Sequence, residues 1–137
     1  MFDIKTKAVA ETAECLLEDV DGSPLIGEGG KRCSITMFGP ASKQFAEMRA
    51  AQKARTFEQV TKRGAASITA ESDSKFTAED LARCTKSLNN FDYLGEFEND
   101  HAKFVALYSD HSIGFVRDQA NNFFGDWGNY SGASKKK

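Results

Sequence analysis

No stretch of this chain approaches the run of about 18 apolar residues that a membrane-spanning helix requires. Its first residues, Met1 to Lys5, lack an apolar core of signal-peptide length. The expected location is therefore the cytoplasm in which the chain is made. Basic residues are not in excess: 18 Lys and Arg face 20 Asp and Glu, for a net charge of -2. A broad basic face for phosphate backbones is not expected on that balance. No C-x-x-C pair occurs. The three cysteines, Cys15, Cys33 and Cys84, are odd in number and widely spaced, which suits small buried thiols in a reducing compartment rather than a structural zinc site. Two histidines, His101 and His111, stand ten residues apart near two helix starts, too far for a one-turn metal pair. Gly27-Glu28-Gly29-Gly30-Lys31 lacks the spacing of a phosphate loop, and no Ser or Thr follows the lysine. It reads as a hairpin turn. No repeat and no sustained heptad is visible.

What is present is an ordinary soluble composition, 40% hydrophobic and 28% charged, with phenylalanine unusually frequent at 11. A chain of 137 residues is expected to form one domain with a core of its own. The organisation predicted over 1–137 is a β-rich part at 1–39, a helical part at 42–127 and a flexible tail at 128–137. The fold class is α+β: a small antiparallel sheet of two or three strands near the N-terminus, followed by about four helices.

The first forty residues carry the strand signals. Phe2 and Ile4 alternate with Asp3 and Lys5. Glu14 to Glu18 encloses a short apolar run, Asp21-Gly22 is a turn pair, and Pro24-Leu25-Ile26 suits an edge. Gly29-Gly30 is a second turn. Cys33 to Phe38 is the best strand, with Cys33, Ile35 and Met37 on one face, and Gly39-Pro40 ends it.

After Pro40 the period changes. Ser42 is placed to cap a helix from about Lys43 to Arg63, with Ala46, Ala50, Ala54 and Phe57 on one stripe and Phe45 and Met48 beside it. Six cations on this element, Lys43, Arg49, Lys53, Arg55, Lys62 and Arg63, read as a solvated outer face, because Glu47 and Glu58 interleave with them. Gly64 to Lys75 reads as a loop. Thr77 and Asp80 resemble a capping box, with Phe76 and Leu81 as its staple. Leu81, Cys84, Thr85 and Leu88 then share a helix face, which Asn89-Asn90 ends. Cys84 falls on this apolar side, where a thiol is inert. The acid pair Glu79-Asp80 reads as first-turn capping. Phe91 to Gly95 is an aromatic connector. Asn99 caps a helix holding Phe104, Leu107 and Tyr108. Ser109 caps the last, where Ile113, Val116, Ala120, Phe123, Phe124 and Trp127 recur at steps of three and four.

No constellation of catalytic residues, no cofactor site and no metal site emerges, so the chain reads as a non-enzyme. The unusual chemistry is aromatic and lies in the last third. Those rings either fill a small core or present a contact patch, and the sequence leaves both readings open. As a patch, the candidate partner-binding residues are Phe104, Leu107, Tyr108, Phe123, Phe124 and Trp127.

The order of short motifs resembles the small tail assembly chaperones of long, non-contractile-tailed bacteriophages. They are the Asp19-Val20-Asp21-Gly22-Ser23-Pro24-Leu25 turn; the strand from Ile35 into the Gly39-to-Ser42 helix start; Leu81-Ala82-Arg83-Cys84-Thr85; and the aromatic connector Phe91 to Gly95. Last comes Asp100-His101-Ala102 with Leu107-Tyr108-Ser109-Asp110, Ile113, Val116 and Gln119, ending at Phe123-Phe124. The likeness spans nearly the whole chain. It departs from the pattern in lacking a Trp near Ser87-Leu88 and in having His111 where Pro is usual.

The resemblance implies a late, non-enzymatic protein of the host cytoplasm, absent from the finished virion. Its implied partners are the tape-measure protein, which it keeps soluble, and the tail-tube protein, reached through a longer form made by ribosomal frameshifting. Neither nucleic acid nor membrane is an implied partner, and self-association is left open. Lys135, Lys136 and Lys137 fit an A-rich slippery coding stretch, and equally a plain cationic tail. The alternatives are a structural tail or connector subunit of the virion, and a small host-takeover factor or enzyme.

Overall fold

Alternation puts Cys33, Ile35 and Met37 on one side of a strand, and that strand is the middle of the sheet. The computed structural model describes residues 1–58 and 70–131. Strands β1 (Thr12–Leu16), β2 (Ser34–Phe38) and β3 (Thr85–Asn89) form an antiparallel sheet in the order β1-β2-β3. Cys15 pairs with Ile35, and Ile35 with Leu88. An irregularity between Thr36 and Met37 brings Met37 opposite Thr85. Because side chains alternate between faces, this register sends Ala13, Cys15, Ile35 and Met37 inward, and all four are buried. The other face carries a polar row. Ser34 Oγ donates to Glu14 Oε2 at 2.6 Å, and Asn89 Nδ2 donates to Ser34 Oγ and Thr36 Oγ1 at 3.1 and 2.9 Å.

Four helices cover the apolar face: α1 (Lys43–Glu58), α2 (Ala70–Arg83), α3 (Asp100–Ser109) and α4 (Gly114–Phe124). The chain is thus α+β, as its periodicity indicates. Helix α2 packs along α3, and α4 lies on β1 and β2 while touching both. A single cluster joins the layers, with Leu17, Ile35, Met37, Leu81, Leu107, Tyr108, Val116 and Ala120 among its members. Removing a side chain of leucine size from water stabilises by about 1.5–3 kcal/mol, so this cluster dominates the favourable side of folding. Two helix starts follow their capping residues. Ser42 Oγ accepts from Phe45 N at 3.1 Å, and Asn99 Oδ1 accepts from Ala102 N at 2.8 Å.

Several elements depart from the sequence reading. Residues 85–89 are a strand, not the end of a helix. Helix α2 closes at Arg83, and Phe38 N then donates to Cys84 O at 2.7 Å. A helix continued through Leu88 would leave that side of β2 without partners; Ser87 and Asn89 supply them. The third strand therefore comes from the middle of the chain. Helix α2 starts at Ala70, within the expected loop, so Thr77 and Asp80 lie inside the helix and cap nothing. Local propensity is a weak prior, and packing overrode it. Phe2 and Ile4 do not form a strand: Ile4–Lys7 is a 3-10 turn capped by Asp3, with both apolar side chains exposed. Strand β1 begins at Thr12, two residues ahead of the expected run. Ser109 is the last residue of α3 and not a cap. Asp110 Oδ1 accepts from Ser112 N at 3.0 Å and starts a 3-10 turn, His111–Ile113, that leads into α4.

Helix α1 is rotated from the expected face. Met48 is buried, Phe45 is half-buried, and Ala46, Ala50, Ala54 and Phe57 are exposed. Alanine fixes rotation poorly because it gains little from burial. Phe45 and Met48 decide the side. The predicted extension to Arg63, the loop over 64–69 and the residues from 132 to Lys137 lie outside the described residues.

Candidate functional site

The aromatic candidates divide into two groups. Phe104, Leu107, Tyr108 and Phe124 are buried and belong to the core, so none of them lies on the surface while the helices are packed. Helix α3 packs against both α2 and α4, and its apolar stripe joins the shared core. Phe124 packs on Phe45 with ring centroids 5.6 Å apart. Phe123 is half-buried against the Tyr130 ring at 5.7 Å. Trp127 stands out at 58% exposure, after α4 has ended. Phe57 at 60% and Leu94 at 86% are also open, and nothing in their spacing distinguishes them from core positions.

The expected flexible tail over 128–137 is built into the fold at its start, 128–130. Asp126 Oδ1 accepts from Gly128 N at 2.9 Å and starts a 3-10 turn over Trp127–Tyr130. Tyr130 is 1% exposed. Its hydroxyl donates to Phe124 O at 3.0 Å, and its carbonyl accepts from Ala10 N at 3.0 Å. The ring lies over Gly39, where a Cβ would stand 2.6 Å from its Cδ2 and closer still to two other ring carbons. Glycine at the end of β2 thus makes room for a residue 91 positions later.

Polar side chains tie distant segments together. Thr85 Oγ1 donates to Leu81 O at 2.7 Å and lies 2.7 Å from Tyr108 Oη. Since the threonine has a single hydroxyl hydrogen, Tyr108 is the donor between them. Burial pushes the Tyr108 phenol above its ordinary range. Gln119 clasps the Glu18 backbone, accepting from its N at 2.7 Å and donating to its O at 2.8 Å. Tyr93 Oη donates to Asp110 Oδ2 at 2.9 Å. Bonds from Ser112, then from Tyr93, hold the Asp110 carboxyl below the usual carboxylate range. Arg55 is not part of a solvated face. Its Nη2 meets Asp80 Oδ1 at 2.6 Å, Gln52 Nε2 donates to Asp80 Oδ2 at 2.9 Å, and the guanidinium lies 4.4 Å above the Phe76 ring. Burial pushes the Asp80 carboxyl up, against the opposing pull of Gln52 and Arg55.

Reactive chemistry is muted. All three thiols are free and buried, and burial pushes Cys15 and Cys84 up to about 12. They are protonated at neutral pH, the reverse of an activated nucleophile. Among the described residues no group of three His, Cys, Asp or Glu could hold a metal ion. No helix there is long and apolar enough to cross a membrane. Gly27 to Lys31 is a hairpin turn, as its glycines indicate, with Gly27 N bonded to Lys31 O at 2.7 Å. Beside it a hollow of about 760 Å³ reaches Asn90, Phe91, Asp92 and Leu94.

No family model, curated protein or solved structure matches this chain.

Proposed function

We propose that this protein is a phage tail assembly chaperone: it binds the tape-measure protein, keeps it soluble, and promotes assembly of the tail tube around it. The observation that carries this reading is the ordered run of motifs from Asp19 to Phe124. Their residues also engage one another. Ser42 Oγ donates to Gly39 O within the second motif at 2.7 Å. Thr85 of the third meets Tyr108 of the last, and Tyr93 of the connector meets Asp110 of the last. Asp19 and Ser23 of the first close its turn, Asp19 N donating to Ser23 O at 2.7 Å. Residues that hold a fold together are the ones a fold-level signature should contain, which supports reading the scattered motifs as one pattern.

The physical task needs only reversible contact. A long helical client with apolar stripes aggregates unless those stripes are covered. Exposed apolar side chains such as Trp127 and Phe57 offer weak individual contacts, and many copies along one client are held by avidity. A longer frameshifted form, carrying a second domain to the tube protein, belongs to the same proposal.

The test is co-expression with the tape-measure protein of the same genome. The soluble yield of that protein should rise, and Trp127→Ala should reduce the gain without changing the chaperone's own melting temperature. Unchanged solubility at matched expression counts against the reading. Abundance of this chain in purified particles would favour a structural subunit instead.

A further inference from the structure

We infer that α1 is a displaceable cover, and that the seat it occupies on α2 and α4 receives an amphipathic helix of the client. This rests on the proposed function above. Of the 16 residues of α1, Met48 alone is buried, at 1% exposure. A helix built into a core usually hides three or four residues in every two turns. Beyond Met48, α1 is held by Phe45 on Phe124, Gln52 on Asp80, Arg55 between Asp80 and Phe76, and a long contact from Cys84 Sγ to Gln44 O at 4.0 Å. By contrast α2 and α3 bury Ala78, Leu81, Ala82, Phe104, Leu107 and Tyr108. Segments with few buried apolar contacts open first, so α1 is the helix that lifts at least cost.

Lifting it uncovers a defined chemistry on elements that stay packed. Phe76 and Phe124 present two rings, and Asp80 presents a carboxylate that is 6% exposed with α1 in place. A carboxylate so placed calls for a cation and a neighbouring donor. The helix that fits therefore repeats the spacing of Phe45, Met48 and Arg55: two apolar side chains three apart, then a cation seven further on. At 1.5 Å per residue it spans roughly 24 Å, the length of α1 itself. A long client helix with apolar stripes offers such segments wherever a cation follows a stripe at that spacing. The chain's own helix holds the seat until one arrives, which keeps the rings out of water.

The test uses the full chain in two arms. In hydrogen exchange without client, amides of α1 should exchange at least about 100-fold faster than those of Leu81 and Leu107. Asp80→Asn keeps the shape and should accelerate α1 alone by a further tenfold or so. Exchange of α1 together with the core would overturn the inference. In the second arm, Gln52→Cys and Asp80→Cys are joined by a short bis-thiosulfonate, reversible with dithiothreitol, while the buried native thiols stay protonated. Both forms of this variant lack the Asp80 carboxylate, so they are compared with each other: the joined protein should capture the tape-measure protein at least about tenfold less well than the same variant left unjoined, and reduction should restore the unjoined level. Equal capture in both states would overturn the cover while leaving the proposed function standing. Capture by no form, wild type included, would remove both.

Discussion

Replacing Gly39 by alanine tests how the end of the described chain is built into the fold. The added Cβ would stand 2.6 Å from Tyr130 Cδ2, where ordinary contact begins near 3.4 Å, so the ring must retreat by at least about 0.8 Å. It has little room to do so: Tyr130 is 1% exposed and its hydroxyl is tied to Phe124 O at 3.0 Å. Overpacking of this kind costs about 1–3 kcal/mol. Gly39 does not occupy the left-handed region, so alanine also restricts the unfolded chain, which stabilises by about 0.4–1 kcal/mol. The steric cost is the larger, and the net loss is about 1–2 kcal/mol. For a domain of this size that lowers the melting temperature by roughly 3–8 °C. Thermal and urea unfolding followed by circular dichroism would measure it. In a Tyr130→Leu background the same substitution should cost at least about 1 kcal/mol less, because its partner ring is gone. A Gly39→Ala protein as stable as wild type would refute this account of the chain end.

Other consequences are more local. Thr85→Val leaves the Tyr108 hydroxyl with only the weak acceptor Met37 Sδ at 3.9 Å and should cost about 1–3 kcal/mol by urea unfolding; a loss under about 0.5 kcal/mol would contradict the bond. The thiols should resist Ellman's reagent at pH 8 in the native protein and react on unfolding, and prompt labelling of Cys15 or Cys84 would contradict their burial. The Asp110 carboxyl is lower in the folded chain than its ordinary value of 3.8, so its contribution is complete above that value and is lost as the pH falls through the folded one. Asp110→Asn should therefore flatten the acid limb of the stability curve. Asp80 is shifted upward, so its contribution is present at low pH and lost as the pH rises through the folded value. Asp80→Asn should steepen the same limb, and identical limbs in both variants would contradict the assignments.

The fold class was legible because the period of the chain changes once, at Gly39-Pro40, and because Cys33, Ile35 and Met37 alternate without ambiguity. Caps at Ser42 and Asn99 were legible because the bonds they make are local. Strand β3 was not. Leu81, Cys84 and Leu88 satisfy helical spacing, and only the unpaired side of β2, far away in sequence, calls Thr85–Asn89 into the sheet. The rotation of α1 was hidden by its alanines, which fit either face. The Arg55–Asp80 pair joins residues 25 apart and leaves no local signal. Tyr130 sits among small polar residues that read as a tail, and its place is set by the absent side chain of Gly39. The candidate contact residues suffered the same ambiguity, since an aromatic stripe has one appearance whether it faces solvent or core. The fold leaves Trp127 open and encloses Phe104, Leu107, Tyr108 and Phe124.

Light scattering during dilution of unfolded tape-measure protein from denaturant tests the central claim most directly. The native protein described here, present at the moment of dilution, should suppress scattering in proportion to its concentration, while an inert protein of equal size and charge should not. Scattering that rises identically with and without it, across a range that includes molar excess, would contradict the account.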